Sequence, residues 1–136
     1  VQHFSSAGVD IAYLVEGAGE PILLVHGFAS STAVNWRSTT WIGALAAAGR
    51  GVIAFDNRGH GESARLYDPA AYSLEAMAGD AARLLDHLGV ARADVLGYSM
   101  GARIGVALAL AHGERVRSLV VGGMGDLLVH GLGGES

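Results

Sequence analysis

The chain has 136 residues, of which 51% are hydrophobic, with a formal net charge of -4 and no cysteine. That length allows one domain with a real core, while the acidic balance, carried against nine arginines and no lysine, offers no basic patch for nucleic acid. Without cysteine there are no disulfides, no thiol catalysis and no thiolate metal sites; apolar runs are too short to span a bilayer and no signal peptide is evident, so a soluble, cytoplasmic chain is expected, with neither membrane nor nucleic acid as partner.

In chain order, Val1 to Phe4 and Val9 to Val15 are expected to be two strands of a hairpin joined through Ser5-Ser6-Ala7-Gly8. Glu16 to Pro21 is a turn; its Gly-x-Gly precedes a strand instead of following one, which fails the context a dinucleotide site requires. Ile22-Leu23-Leu24-Val25 is a buried-strand run ending in the loop His26-Gly27-Phe28. Trp41 to Ala48 is helical, with Gly49 as C-cap. Gly51 to Phe55 is the next strand and runs into Asp56-Asn57-Arg58-Gly59-His60-Gly61-Glu62-Ser63. Ser73 caps an amphipathic helix to Leu88, whose apolar face is Leu74, Met77, Ala81, Leu84, Leu85 and Leu88. A short strand leads into Gly97-Tyr98-Ser99-Met100-Gly101, a helix follows to about His112, and Val116 to Val121 is a last strand. Strand and helix alternate with short loops, so the fold class is α/β: a doubly wound, mostly parallel sheet with an N-terminal antiparallel hairpin.

The Gly-x-Ser-x-Gly pentapeptide carries the most chemistry. A side chain between strand and helix projects above the sheet only if the chain reverses within one residue, which forces Ser99 into a strained backbone conformation. Gly97 and Gly101 flank it where any Cβ would collide as strand and helix close on each other. The helix that follows aims its N-terminal amides at the reaction centre. The cluster Asp56, Arg58, His60 and Ser63 carries an acid, a base and a hydroxyl, but its close spacing around two glycines describes a self-bonded turn.

These three motifs, His26-Gly27-Phe28, the Asp56 to Ser63 turn and the Ser99 pentapeptide, resemble in this order the N-terminal portion of an α/β-hydrolase of the serine-nucleophile branch, from about Ile11 to Val121. The resemblance implies residues 1–123 as part of the core and 124–136 as the start of a lid or cap connection. It implies Ser99 as nucleophile, the backbone N–H groups of Phe28 and Met100 as oxyanion hole, Phe28 and Tyr98 as substrate-pocket candidates, a small-molecule acyl substrate, and no cofactor or metal. His26 would be a hydrogen-bonded buttress of the oxyanion loop and not the base.

In that family the acid and the histidine follow the serine in the chain. The downstream candidates are His112, Glu114, Asp126, His130 and Glu135. His112 sits a helix length from Ser99. Asp126 with His130 would be an in-chain acid and base, but a glycine-flanked loop offers them little scaffold. The apolar run Val116 to Val121 further leads us to expect a strand buried on both faces and paired on both sides. Together with Val in place of Met at position 1, these features imply that a remaining C-terminal half, as a second chain or segment, supplies the missing groups.

The function implied is hydrolysis of carboxylic esters or related acyl substrates through an acyl-enzyme. Serine at position 99 disfavours haloalkane dehalogenase and epoxide hydrolase chemistry, which in the family use a carboxylate nucleophile. The alternatives are a non-catalytic half-fold interaction module, and a cofactor-free perhydrolase or a carbon-carbon bond hydrolase on the same scaffold. Strain retained at Ser99 speaks against a pure scaffold.

Overall fold

The computed structural model describes residues 1–123. They form one six-stranded sheet, with strands β1 (Gln2–Ser6), β2 (Val9–Glu16), β3 (Pro21–Val25), β4 (Gly51–Phe55), β5 (Ala93–Tyr98) and β6 (Val116–Gly122) in the order β1-β2-β4-β3-β5-β6. β1 and β2 are antiparallel, β2 is antiparallel to β4, and β4, β3, β5 and β6 run parallel. Pro21 opens β3, a position where its missing N–H costs no ladder bond.

Side chains alternate along the parallel strands and divide the core into two layers. Leu23, Val25, Ile53, Phe55 and Val95 pack on one face against the helices α2 (Leu74–His87) and α3 (Met100–Ala111). Ile22, Leu24, Val52 and Ala54 pack on the other against Trp36 and against Ile42 of helix α1 (Trp41–Ala47). Helices on both faces make the sheet doubly wound, as the alternation of elements implied. Ser73 caps α2 by accepting a hydrogen bond from the Ala76 N–H at 3.1 Å, which satisfies one of the amides a helix start leaves open.

One expectation changes. The hairpin turn is only Ala7-Gly8, both at positive φ, the two-residue geometry whose twist matches the strands it joins. Ser5 and Ser6 therefore belong to β1, where Ser6 pairs with Val9 and its buried hydroxyl donates to Asp80 Oδ1 at 2.6 Å. With the described residues alone, Val120 of β6 is 58% exposed. Among the described residues β6 pairs with β5 alone and forms the edge of the sheet, so its apolar side chains have one neighbour strand instead of two.

The strand order fixes where chemistry can sit. β3 lies between β4 and β5, so the loops leaving the carboxyl ends of these three strands converge at the point where the connections diverge to either side of the sheet. Val25 lies beside Phe55 on one side and Gly97 on the other, and the segments that follow these residues carry the three motifs. No helix among the described residues is long and apolar enough to cross a membrane.

Candidate active site

Ser99 joins β5 to α3 with φ 57° and ψ -117°. A left-handed φ on a residue with a Cβ is sparsely populated and costs on the order of 1–3 kcal/mol. The surroundings hold it there. An added Cβ at Gly97 would overlap the carbonyl of Gly101, and one at Gly101 would overlap the Val25 carbonyl and come within 2.6 Å of the His26 oxygen. β5, α3 and the end of β3 thus touch backbone to backbone. The Ser99 N–H donates to the Gly122 carbonyl at 2.9 Å, which ties the turn to the end of β6.

The serine is half-buried, and its side chain makes no capping bond to α3. The loop after β3 lies directly against it: an added Cβ at Gly27 would sit 3.2 Å from Ser99 Cβ. Among the described residues neither the Phe28 N–H nor the Met100 N–H donates a backbone hydrogen bond outside regular elements. Met100 is the first residue of α3, so its amide has no intrahelical partner. Beside these groups a cleft of about 680 Å³ opens, lined by Phe28, His60, Tyr72, Met77, Met100 and Arg103 among others. The Phe28 side chain is 74% exposed. Tyr98 is not among the cleft's lining residues; its ring lies against Gly123.

Around this opening the polar groups are tightly paired. His26 is fully buried, with Nδ1 donating to the Gly27 carbonyl at 2.7 Å and Nε2 accepting from the Asn57 N–H at 2.9 Å. Burial lowers its pKa to about 4, and the nearby His60 pushes the same way against the Gly27 hydrogen bond and the Asp56 charge. A neutral ring with both nitrogens occupied is a brace between two loops and has no free nitrogen for a serine proton. Asp56 accepts from the Thr32 N–H at 2.8 Å and the Glu62 N–H at 3.0 Å. Ser63 Oγ donates to the Asp56 carbonyl at 2.6 Å and accepts from the Ala12 N–H at 2.9 Å. Arg58 makes a two-pronged bond to Asp80, 2.7 Å on each oxygen, and a third to the Ala71 carbonyl at 2.9 Å; the Asp80 hydrogen bond raises the Arg58 pKa. His60 Nδ1 is 3.0 Å from the Arg58 carbonyl, and its ring lies between those of His26 and Phe28, tilted to the first and edge-on to the second. The Asp56 to Ser63 segment is therefore a self-bonded turn, as its spacing implied.

Asp126, His130 and Glu135 lie outside the described residues, as does the segment 124–136 expected to begin a lid. His112 caps the far end of α3, about 20 Å along the helix axis from Ser99. Two residues escaped the sequence reading. Asp80 stands within the apolar stripe of α2, three residues after Met77, and a carboxylate on a buried face is itself a signal that a cation must meet it. Arg103 follows Ser99 by four residues, hence on the same side of α3, and that spacing could have marked it. No group of three or more potential ligands among the described residues could hold a metal ion.

Residues 20–125 match the family model described as the alpha/beta hydrolase fold. A protein of Azorhizobium caulinodans named as the carbamate hydrolase RutD is 46% identical over 112 residues, which are 82% of this chain and 40% of that protein. A 2-hydroxymuconate semialdehyde hydrolase from a Pseudomonas species is 38% identical over 120 residues, 87% of this chain and 41% of the relative. Among solved structures, an epoxide hydrolase from Vigna radiata superimposes with a TM-score of 0.82 at 28% identity, covering 88% of this chain and 37% of that one. The chain thus spans about 40% of the length of these relatives.

Proposed function

Since the chain belongs to the α/β-hydrolase fold family, we propose that it carries the nucleophile and oxyanion hole of a serine hydrolase acting on carboxylic esters or related acyl compounds. The observation that carries this reading is Ser99 itself, held at φ 57° between β5 and α3. Ser99 Oγ attacks the acyl carbon; its proton passes to a histidine, and the oxygen that becomes negative accepts hydrogen bonds from the open amides of Phe28 and Met100. Collapse expels the leaving group, which takes the proton from the imidazolium, and water then releases the acid from the acyl-serine by the same steps. The occupied nitrogens of His26 argue that the base is another histidine. It would come with its acid from polypeptide outside the described residues, as a second chain or segment.

The relatives are named for different chemistries, among them carbamate, epoxide and 2-hydroxymuconate semialdehyde hydrolysis. A hydroxyl at the elbow suits attack on a carbonyl, and the resemblance assigns a carboxylate to that place for epoxide opening. A carbon-carbon bond hydrolase or a cofactor-free perhydrolase on the same scaffold is the alternative reading.

A fluorophosphonate probe tests the nucleophile. The full protein is expected to label at Ser99, and Ser99→Ala to lose both labelling and ester hydrolysis by more than about 10⁴-fold. Labelling that persists in the alanine variant would remove the assignment.

A further inference from the structure

Most arginines of the described chain have a carboxylate. Arg37 pairs with Glu16, Arg50 with Asp94, Arg58 and Arg83 with Asp80, Arg115 with Asp86, and Arg117 with Asp94 and Glu20. Arg103 has no such partner among the described residues, and its Nε is buried with no hydrogen-bond acceptor. It is also the one arginine that lines the cleft beside the nucleophile. Burying part of a guanidinium without an acceptor is unfavourable, so an arginine placed this way at the wall of an open cleft is suited to receive an anion.

The rest of the lining sharpens the chemistry. Phe28, Leu74, Met77 and Met100 are apolar, Tyr72 carries a hydroxyl, and no carboxylate is among the described residues that line the cleft. Tyr72 is also turned to structure, its hydroxyl exchanging hydrogen bonds with the backbone of Leu66 at 2.8 Å in each direction. His60 has Nδ1 against the Arg58 carbonyl. An apolar chain ending in a negative charge fits such a surface, and the planar fork of arginine matches a carboxylate with two parallel hydrogen bonds.

The position on α3 sets the distance from the reacting atom. The Arg103 N–H donates to the Ser99 carbonyl at 3.3 Å, so the two residues stand one helical turn apart on one side of the helix. Such neighbours have Cβ atoms about 5–6 Å apart. A carboxylate about three to five bonds beyond the acyl carbon would reach the guanidinium while the carbonyl sits at Ser99.

We propose that Arg103 is a specificity-determining residue which binds a second, ionised carboxylate on the acyl chain, so that the preferred substrates are monoesters or related monoacyl derivatives of short dicarboxylic acids. The inference rests on Ser99 being the nucleophile, and it adds the substrate class for that site.

Two measurements separate its failure from failure of the nucleophile assignment. The first compares mono-4-nitrophenyl adipate with 4-nitrophenyl hexanoate, acyl chains of equal carbon number with and without the terminal charge, on the full protein. Wild type is expected to favour the adipate by tenfold or more in kcat/KM. That ratio should fall by about 10–100-fold in Arg103→Met, chiefly through KM, and recover partly in Arg103→Lys. A purely structural Arg103 would lower both substrates together and leave the ratio unchanged, which overturns the proposal, as does a wild type that prefers the hexanoate. The second is calorimetric titration of adipate itself into Ser99→Ala, which needs no catalysis. Binding that weakens tenfold or more on adding Arg103→Met, and weakens with salt, supports the anion site even if the serine proves not to be the nucleophile. Equal binding with and without Arg103 overturns it.

Discussion

Two clusters of polar groups meet at the carboxyl ends of the central strands, and they are finished to different degrees. In the support cluster, His26, Asp56, Arg58, Ser63 and Asp80 bond one another or nearby backbone; beside them, among the described residues, Asn57 Oδ1 is buried without a hydrogen-bond donor. In the elbow cluster, among the described residues, the Ser99 hydroxyl makes no cap bond to its helix, the amides of Phe28 and Met100 have no backbone acceptor, and Arg103 Nε has no acceptor. Saturated polar groups specify a shape, because every alternative packing would strand a buried donor or charge. Unsaturated ones at a cleft keep their hydrogen-bonding capacity for something that arrives later. Substitutions in the first cluster should therefore cost stability, and those in the second should cost function with little loss of stability.

The largest test of that contrast is Asp80. Its carboxylate lies buried against Arg58, with the Ser6 hydroxyl and Arg83 on the same oxygen. Asp80→Ala would leave Arg58 as an unpaired buried cation, a loss of about 3–5 kcal/mol. Urea unfolding of the full protein should show it as a large drop in midpoint. A double variant, Arg58→Met with Asp80→Leu, should recover most of the loss, since apolar groups of similar volume need no partner. A loss below about 1 kcal/mol in the single variant would mean that water reaches the pair and that the cluster is not the closed structure described.

Acid should weaken the same cluster through His26. Its pKa is lowered from 6.5 to about 4 by burial, with His60 adding to the shift and the Gly27 hydrogen bond and Asp56 opposing it. On lowering the pH the unfolded chain takes up this proton first, so the contribution of His26 is whole above about pH 6.5, declines between 6.5 and 4, and is level below that. The shift corresponds to about 3 kcal/mol across the window. Unfolding midpoints measured from pH 7 to 4 should fall accordingly, and His26→Gln should flatten that part of the profile even though the variant starts less stable. An undiminished slope in the glutamine variant would assign the acid sensitivity to another group.

Much of this was legible in the sequence because it is local. Gly97, Ser99 and Gly101 reveal their geometry through spacing alone, since only a reversal within one residue brings a strand and a helix so close that neither flank admits a Cβ. The turn from Asp56 to Ser63 is equally local, its polar side chains within reach of one another's backbone. The missing parts depend on pairings that distance along the chain conceals. Asp80 meets Arg58 from another element, and Ser6 joins them only because the hairpin turn is two residues long. Arg103 was half hidden: its spacing from Ser99 puts it on the elbow's side of α3, but charged residues on a helix usually face water, and the fold is needed to show that this one borders the cleft.

The smallest effect gives the cleanest separation of shape from function. Ser99 is held at φ 57° and ψ -117°, a backbone that a Cβ disfavours, whereas glycine accepts positive φ at no steric cost. Ser99→Gly should therefore release strain on the order of 1–3 kcal/mol, offset by about 0.5–1 kcal/mol because glycine gains freedom in the unfolded chain. The net expectation is a protein about 1 kcal/mol more stable, with an unfolding midpoint shifted upward and no fluorophosphonate labelling. No group in the support cluster should behave this way, because there each side chain satisfies a buried partner. If Ser99→Gly instead lowers the midpoint, the hydroxyl contributes to folding, and the elbow is held by its side chain as well as by the backbone around it.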